Sequence, residues 1–174
     1  SAGGQLALQA HVLQSAGQIG AADINLQVDQ LNNSGQLSAE QSIQIVAQQI
    51  DNSGQLAARQ LTISADNAVN SGTMLASAVT GESMLLNLQQ LRNSGTIVTN
   101  GTALRLNPIK FNNDGGTLLH TGSGVLSIET LDILDNLAGA IITNGDLQLV
   151  AEQLNNDQGL LQIAGTASID VSAL

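Results

Sequence analysis

The sequence predicts an all-β protein, a right-handed parallel β-helix (a solenoid) of about eight coils with roughly 20 residues in each. Three observations predict it: a short Asn-x-Gly motif that recurs along the chain, period-two alternation of apolar residues between the copies, and an unusual composition. The chain is 43% hydrophobic but only 10% charged, whereas a typical globular domain is about 25% charged. Apolar residues do not follow helical spacing over any long stretch, so short strands are the expected elements.

The repeated motif is clearest at residues 31–37 (Leu-Asn-Asn-Ser-Gly-Gln-Leu) and 50–56 (Ile-Asp-Asn-Ser-Gly-Gln-Leu). Glycine adopts positive φ without steric cost and asparagine tolerates it, so the motif suits a corner. Asparagines that return at the same place in every copy predict a hydrogen-bonded ladder among the outward-facing side chains. The residues of this predicted turn ladder are Asn33, Gly35, Asn52, Gly54, Asn70, Gly72, Asn93, Gly95, Asn113, Gly115, Asn136, Gly139, Asn156 and Gly159.

Between the corners, apolar residues alternate with polar ones, as in Ile43-Gln-Ile45 and Leu61-Thr-Ile63. Such alternation indicates a short strand with one buried face. A unit of about 20 residues cannot bury that face alone, which favours stacked coils whose equivalent strands pair in parallel. Parallel crossovers are right-handed. We predict one β-helix over residues 1–174, with looser coils near 77–83 and 117–135 and projecting loops at 77–83 and 117–124.

Composition excludes several classes of function. The formal net charge is −10 with four basic residues, too few to neutralise nucleic-acid phosphates or to bind an anionic membrane surface. There is no cysteine, so disulfides and thiolate metal sites are excluded. No apolar run reaches the roughly 18 residues of a membrane span, so no membrane insertion of this segment is expected. No cofactor is predicted.

The strongest catalytic candidates are Glu129, Asp132 and Asp135, with His120 nearby in sequence. Paired carboxylates hydrolyse glycosides in some β-helix enzymes, but dispersed acids are more simply interpreted as solvated turn residues. His11 and His120 are interpreted as separate surface histidines, about five coils or 25 Å apart, which is too far for one metal ion. The sequence therefore predicts no catalytic, metal-binding or cofactor-binding residue.

The pattern Leu-x-Asn-x-Gly-x-Leu-x-Ala…Leu-x-Ile-x-Ala, clearest over 31–65 and looser over 13–172, resembles the filamentous haemagglutinin repeat. That family of two-partner-secreted exoproteins includes large adhesins, haemolysins and contact-dependent growth-inhibition exoproteins. The resemblance implies a right-handed parallel β-helix, export through an outer-membrane transporter partner, and a secreted, cell-surface location. The Asn-Pro-Asn-Gly motif of the family's secretion domain is not matched at residues 107–109 (Asn-Pro-Ile). We therefore expect a shaft fragment of a much longer exoprotein.

Three functions follow from this sequence. The favoured one is a structural shaft that holds a distal binding or toxin region away from the cell, with any receptor on a target or host cell contacted by other regions. The second is an adhesion module, in which the shaft or its loops bind a host or neighbouring-cell ligand. The third, more remote, is a β-helix enzyme that degrades polysaccharides. A repeat that covers the chain and leaves its acids dispersed favours the first.

Overall fold

Every regular element is a β-strand in the computed structural model, which describes residues 3–173. Eighteen strands form one continuous sheet. They are β1 (Gln5–Ser15), β2 (Gln18–Asn33), β3 (Gln36–Val46), β4 (Gln49–Asn52), β5 (Gln55–Ala58), β6 (Gln60–Asn70), β7 (Thr73–Ala76), β8 (Met84–Asn93), β9 (Thr96–Thr99), β10 (Leu104–Leu106), β11 (Lys110–Asn112), β12 (Thr117–His120), β13 (Val125–Glu129), β14 (Ile133–Asp135), β15 (Ala140–Thr143), β16 (Asp146–Asn155), β17 (Leu160–Ile163) and β18 (Ala167–Ala173). Within residues 3–173 no helix exists that could cross a membrane.

Each turn of the chain contributes one extended segment to each of three faces. Face A contains residues 18–21, 36–39, 55–58, 73–76, 96–99, 117–120, 140–143 and 160–163. Face B contains 5–10, 23–28, 42–46, 60–65, 84–88, 104–106, 125–129, 146–151 and 167–171. Face C contains 12–15, 30–33, 49–52, 67–70, 90–93, 110–112, 133–135 and 153–155. Long strands such as β2 pass around the corners between faces.

All pairings are parallel and join a segment to its equivalents one coil below and one coil above. On face A, Leu56 lies between Leu37 and Met74. On face C, Ile50 lies between Leu31 and Ala68 in the same way. This pattern confirms the predicted parallel β-helix of about eight turns.

The core is a set of aliphatic columns that run along the solenoid. Inward residues alternate with outward ones along most strands. In β5 and β7, for example, half-buried residues alternate with buried ones. Large side chains such as Leu37, Leu56 and Ile97 are 0% exposed. Phe111, the one aromatic residue, is also buried, on face C between Leu91 and Leu134. Apolar burial at about 25 cal/mol per Å² is the main force that holds the coils together.

The extra residues of the longer coils lie at corners, because insertion within a strand would move inward side chains to the surface. Residues 77–83 form a loop after face A, and Val79 in it is 71% exposed. The loop expected over 117–124 is shorter than predicted. Thr117–His120 is strand β12, in register between β9 and β15, which leaves only 121–124 as the loop.

Replacing Leu56 by Asp tests the inward assignment. Leu56 is 0% exposed, so a carboxylate there would be buried without a partner, and we expect a loss of about 3 kcal/mol or more of unfolding free energy. Urea denaturation followed by circular dichroism measures the loss. Gln55→Asp, at the adjacent outward position, is the matched control and should change stability by less than about 0.5 kcal/mol. Equal stability of the two variants would contradict the assignment.

Candidate functional site

The corner between faces C and A (the Asn corner) holds a continuous column of asparagine side chains. Six hydrogen bonds of 2.7–2.8 Å join them, each from the Nδ2 of one asparagine to the Oδ1 of the next. The members are Asn33, Asn52, Asn70, Asn93, Asn113, Asn136 and Asn156. The first six are at most 1% exposed. We expected the ladder among outward side chains, and the structure instead places it inside the corner.

The first six ladder amides also bond to the backbone of the following coil. Asn33 Nδ2 lies 3.1 Å from the Gln55 carbonyl oxygen, and Asn52 Nδ2 lies 3.2 Å from that of Thr73. One side chain thus links the end of face C in its own coil to the start of face A in the next. A buried amide without partners would cost about 1–3 kcal/mol, so the column specifies the register of successive coils.

Glycine is required at these corners for a reason other than the one we predicted. Positive φ is confined, among glycines of the described residues, to Gly81 and Gly115, so the glycines of the four Asn-Ser-Gly corners do not adopt it. A Cβ at Gly72 would instead lie 2.1 Å from the Gly54 carbonyl oxygen, and one at Gly54 would lie 2.1 Å from that of Gly35. Close stacking of backbone on backbone excludes any side chain there.

The last three Asn corners contain one more residue, and this changes one predicted ladder position. Gly116, not Gly115, aligns with Gly95, because the Thr117 N–H donates to the Gly95 carbonyl and the Ala140 N–H donates to the Gly116 carbonyl. The additional residue turns the chain with positive φ: Gly115 at 66°, Ala138 at 50° and Gln158 at 55°. Gly139 and Gly159 keep close contact with the coil below, at 2.1 Å from Cβ to the carbonyl oxygens of Asn113 and Asn136.

The corner between faces A and B (the A/B corner) holds a second buried polar column, which the sequence did not indicate. His120 is 0% exposed, between Thr99 and Thr143, so the prediction of a surface histidine is wrong. Its Nε2 lies 3.1 Å from the Gly101 carbonyl oxygen and its Nδ1 lies 2.9 Å from Thr143 Oγ1. Since a carbonyl only accepts, Nε2 carries the hydrogen and Nδ1 accepts from the Thr143 hydroxyl. Burial lowers the pKa of His120, partly offset by the hydrogen bond to Gly101.

The structure does not bring the four candidate catalytic residues together. Both ring nitrogens of His120 are engaged inside the A/B corner. Glu129 ends β13 on face B, and Asp135 ends β14 on face C. Asp132 lies at the corner between them, where its Oδ2 is 3.1 Å from Lys110 Nζ. Among residues 3–173, no group of three His, Asp or Glu side chains could hold a metal ion.

His11, the other histidine, is exposed on the first coil, with Nδ1 2.6 Å from Asp29 Oδ2. The hydrogen bond and the charge of Asp29 raise the pKa of His11. This exposed pair links two coils at the surface, a position at which ion pairs contribute little to stability.

Two curated relatives match nearly the whole chain. One, named Toxin CdiA, from Escherichia coli, is 34% identical over 170 residues, which is 92% of this chain. The other, named tRNA nuclease CdiA, from Escherichia coli O6:K15:H31 (strain 536 / UPEC), is 33% identical over 166 residues, or 91% of the chain. The chain spans only 5% of the length of each relative. No family model and no solved structure matches.

Fold, ladder and relatives together define the class of this chain: it is a repeat segment that forms a parallel β-solenoid. In particular, it belongs to the filamentous haemagglutinin-like β-helices and is similar to a segment of CdiA. The resemblance that the Asn-x-Gly repeat predicted is therefore confirmed.

Replacing Asn70 by Asp should break the ladder at its middle. The carboxylate has no N–H to donate to Asn93 Oδ1, which lies 2.8 Å from Nδ2 in the native chain, and two oxygens would then face each other in a buried site. We expect a loss of about 2–4 kcal/mol of unfolding free energy at neutral pH. Urea denaturation measures it, with Asn67→Asp, exposed on the same strand, as control. Similar effects of the two substitutions would argue against the ladder.

Ser15 occupies the ladder position below Asn33 and is too short to reach it. Among the described residues, Ser15 Oγ and Asn33 Oδ1 are buried without a hydrogen-bond partner. Ser15→Asn would supply the missing Nδ2 donor, so we expect a gain of about 1 kcal/mol in unfolding free energy. Ser15→Ala is the control. It only removes the unpaired hydroxyl, so it measures how much stability is gained when that hydroxyl is no longer buried without a partner. A gain no larger for Asn than for Ala would contradict the prediction.

The pH dependence of stability should depend on His120. As pH falls below the ordinary histidine value of 6.5, the unfolded chain binds a proton at His120 before the folded chain does. The free energy of unfolding therefore falls with pH below about 6.5. His120→Gln should flatten this dependence in denaturation curves measured between about pH 7 and 5. His11→Gln is the control: because the folded-state pKa of His11 is raised, its loss should steepen the dependence.

Proposed function

We propose that this chain is a shaft segment of a CdiA-like, secreted cell-surface exoprotein, which holds a distal toxin or binding region away from the cell. The observation that carries the proposal is the unbroken parallel register of every face, coupled at each Asn corner by the amide ladder. The names of the two relatives, a toxin and a tRNA nuclease, describe whole proteins of which this chain matches one twentieth. In this proposal, the activities that those names describe belong to other regions of the relatives.

The geometry suits a spacer. Coils spaced by about 4.8 Å give a rod on the order of 40 Å long from this segment. Hydrogen bonds of the strands and of the ladder run along the rod axis, and stability is approximately a sum over coils and their interfaces. Such a shaft can be lengthened or shortened by whole coils without changing any contact type.

Export through an outer-membrane transporter partner forms part of the proposal. The chain has no cysteine, so no disulfide can form before or during passage of an extended chain. The coils then pair with their neighbours after passage, which requires only local contacts between sequential units.

Removal of one whole coil tests the shaft proposal. Deleting residues 52–69 joins Asp51 directly to Asn70, which is the ladder partner of Asn52, so the register is kept. In a full-length CdiA-like exoprotein that carries this segment, we expect surface display and growth inhibition of target cells to stay within about twofold of the parent, because neighbouring coils contribute nearly equivalent interfaces.

The matched control removes half a coil. Deleting residues 61–69 joins Gln60 to Asn70 and removes nearly all of this coil's segments on faces B and C, so the turn cannot close in register and display should be lost. Activity lost equally in both deletions, with display intact in the whole-coil variant, would refute a passive shaft and indicate that the removed coil itself makes a required contact. Shortening the exposed 77–83 loop tests the adhesion alternative in the same assay: selective loss of cell binding would support it.

A further inference from the structure

Face A differs from the rest of the surface in carrying no charge. None of its eight four-residue segments contains Asp, Glu, Lys or Arg. The 14 acidic and four basic residues all lie on faces B and C, at corners or in loops. On face B, for example, Asp23, Arg105 and Glu129 point outward, and Asp51, Arg92 and Asp135 do so on face C.

The outward residues of face A also become more apolar along the chain. In the first three coils they are mainly polar or small, such as Gln36, Ser38 and Gln55. In the next four coils one outward column is aliphatic throughout, and its members pair in register. This aliphatic stripe consists of Leu75, Val98, Leu119 and Ile142. Beside it runs a second outward column, which consists of Thr73, Thr96, Thr117 and Ala140.

Half-burial of the stripe comes from its own neighbours. Leu75, Val98, Leu119 and Ile142 are each half-buried, and the strands that carry them pair with one another and not with strands of faces B or C. A row of aliphatic side chains between threonines is the surface of sheets that pack face to face at about 10 Å.

The distribution of charge indicates which partner packs against face A. A partner that placed a charged face against the stripe would bury ions without counter-ions, which is strongly unfavourable. Two copies of a protein with a net charge of −10 repel each other through every surface that carries the acids. Face A is the face whose own segments carry no charge, so two copies that meet there bring the fewest like charges together, and a surface that meets itself satisfies a two-fold interface.

We propose that this β-helix associates laterally with a second copy of itself through face A, with the aliphatic stripes packed against each other. A two-fold axis in the plane of the interface superposes stripe on stripe whether the two solenoid axes run parallel or antiparallel. Strand dimensions give face A an area of roughly 500 Å² per copy, so the dimer buries about 1,000 Å² in total, at the lower limit of specific interfaces. The association is therefore reversible and concentration dependent.

Sedimentation velocity of the 174-residue chain, from about 10 μM to 1 mM, tests the proposal; we expect a monomer–dimer equilibrium in this range. Val98→Glu combined with Leu119→Glu places two carboxylates in the interface and should raise the dissociation constant at least about tenfold. Higher salt should strengthen association of the native chain, because it screens the net repulsion.

The matched control combines Val69→Glu on face C with Leu85→Glu on face B. Both positions point outward and are 37% and 36% exposed, and the change in net charge is the same. The control should raise the dissociation constant by less than about threefold, as expected from added net charge alone. Circular dichroism and thermal melting of both double variants check that each keeps the fold.

Three results would overturn the proposal. The native chain could remain monomeric up to 1 mM. The two double variants could weaken association equally, which would assign the effect to net charge. Association could persist in Val98→Glu/Leu119→Glu, which would place the contact at the coil edges or on another face.

Discussion

The structure depends on one constraint: an amide buried at the Asn corner must find partners for its N–H groups and its carbonyl oxygen. The next coil supplies those partners when its own asparagine lies directly above, as Asn52 does for Asn33. Coil length can therefore vary only in ways that keep the ladder intact, and the additional residue in each of the last three Asn corners does so. The longest addition, 77–83, lies at the A/B corner, as do the four-residue segments 100–103 and 121–124. Apolar burial stabilises the solenoid, but it is the ladder that makes one register much better than its neighbours.

Much of this fold could be predicted from the sequence, because each coil repeats the same short-range pattern. Alternation such as Leu61-Thr-Ile63 sets which side chains point inward, and a unit too small for its own core must stack. The side of the ladder could not be predicted, since a polar residue is ordinarily outward and only the stacked geometry satisfies a buried amide. The two adjacent glycines 115 and 116 were ambiguous for a similar reason: alignment depends on backbone contacts with the coil below. Burial of His120 was missed because its partners, Thr143 and the Gly101 carbonyl, are about one coil away.

The two polar corners have different chemistry. The asparagine column is uniform and contains no titrating side chain, so the hydrogen bonds between its amides are insensitive to pH. The A/B corner is irregular: its inward positions change from Ala58 and Ala76 to Thr99, His120 and Thr143. The threonine hydroxyls accept hydrogen bonds from the turns that follow them, as Thr99 Oγ1 does from the Gly101 N–H and Thr143 Oγ1 from the Gly145 N–H. A uniform asparagine ladder at one corner and variable loops at the other suit a rod whose surface varies while its length is set by the number of coils.

The ladder has a direction. All six hydrogen bonds run from Nδ2 to Oδ1 toward higher residue numbers, so the two ends of the column are chemically unlike. Its lower end is an acceptor, the Asn33 oxygen above Ser15. Its upper end is a donor, the Asn156 amide nitrogen. A coil that docks on the upper end meets an N–H that must be paired with a carbonyl oxygen, as Asn52 Oδ1 pairs with Asn33 Nδ2. The column thus acts as a polar template, and coils can be added in chain order, each one presenting the same donor to its successor.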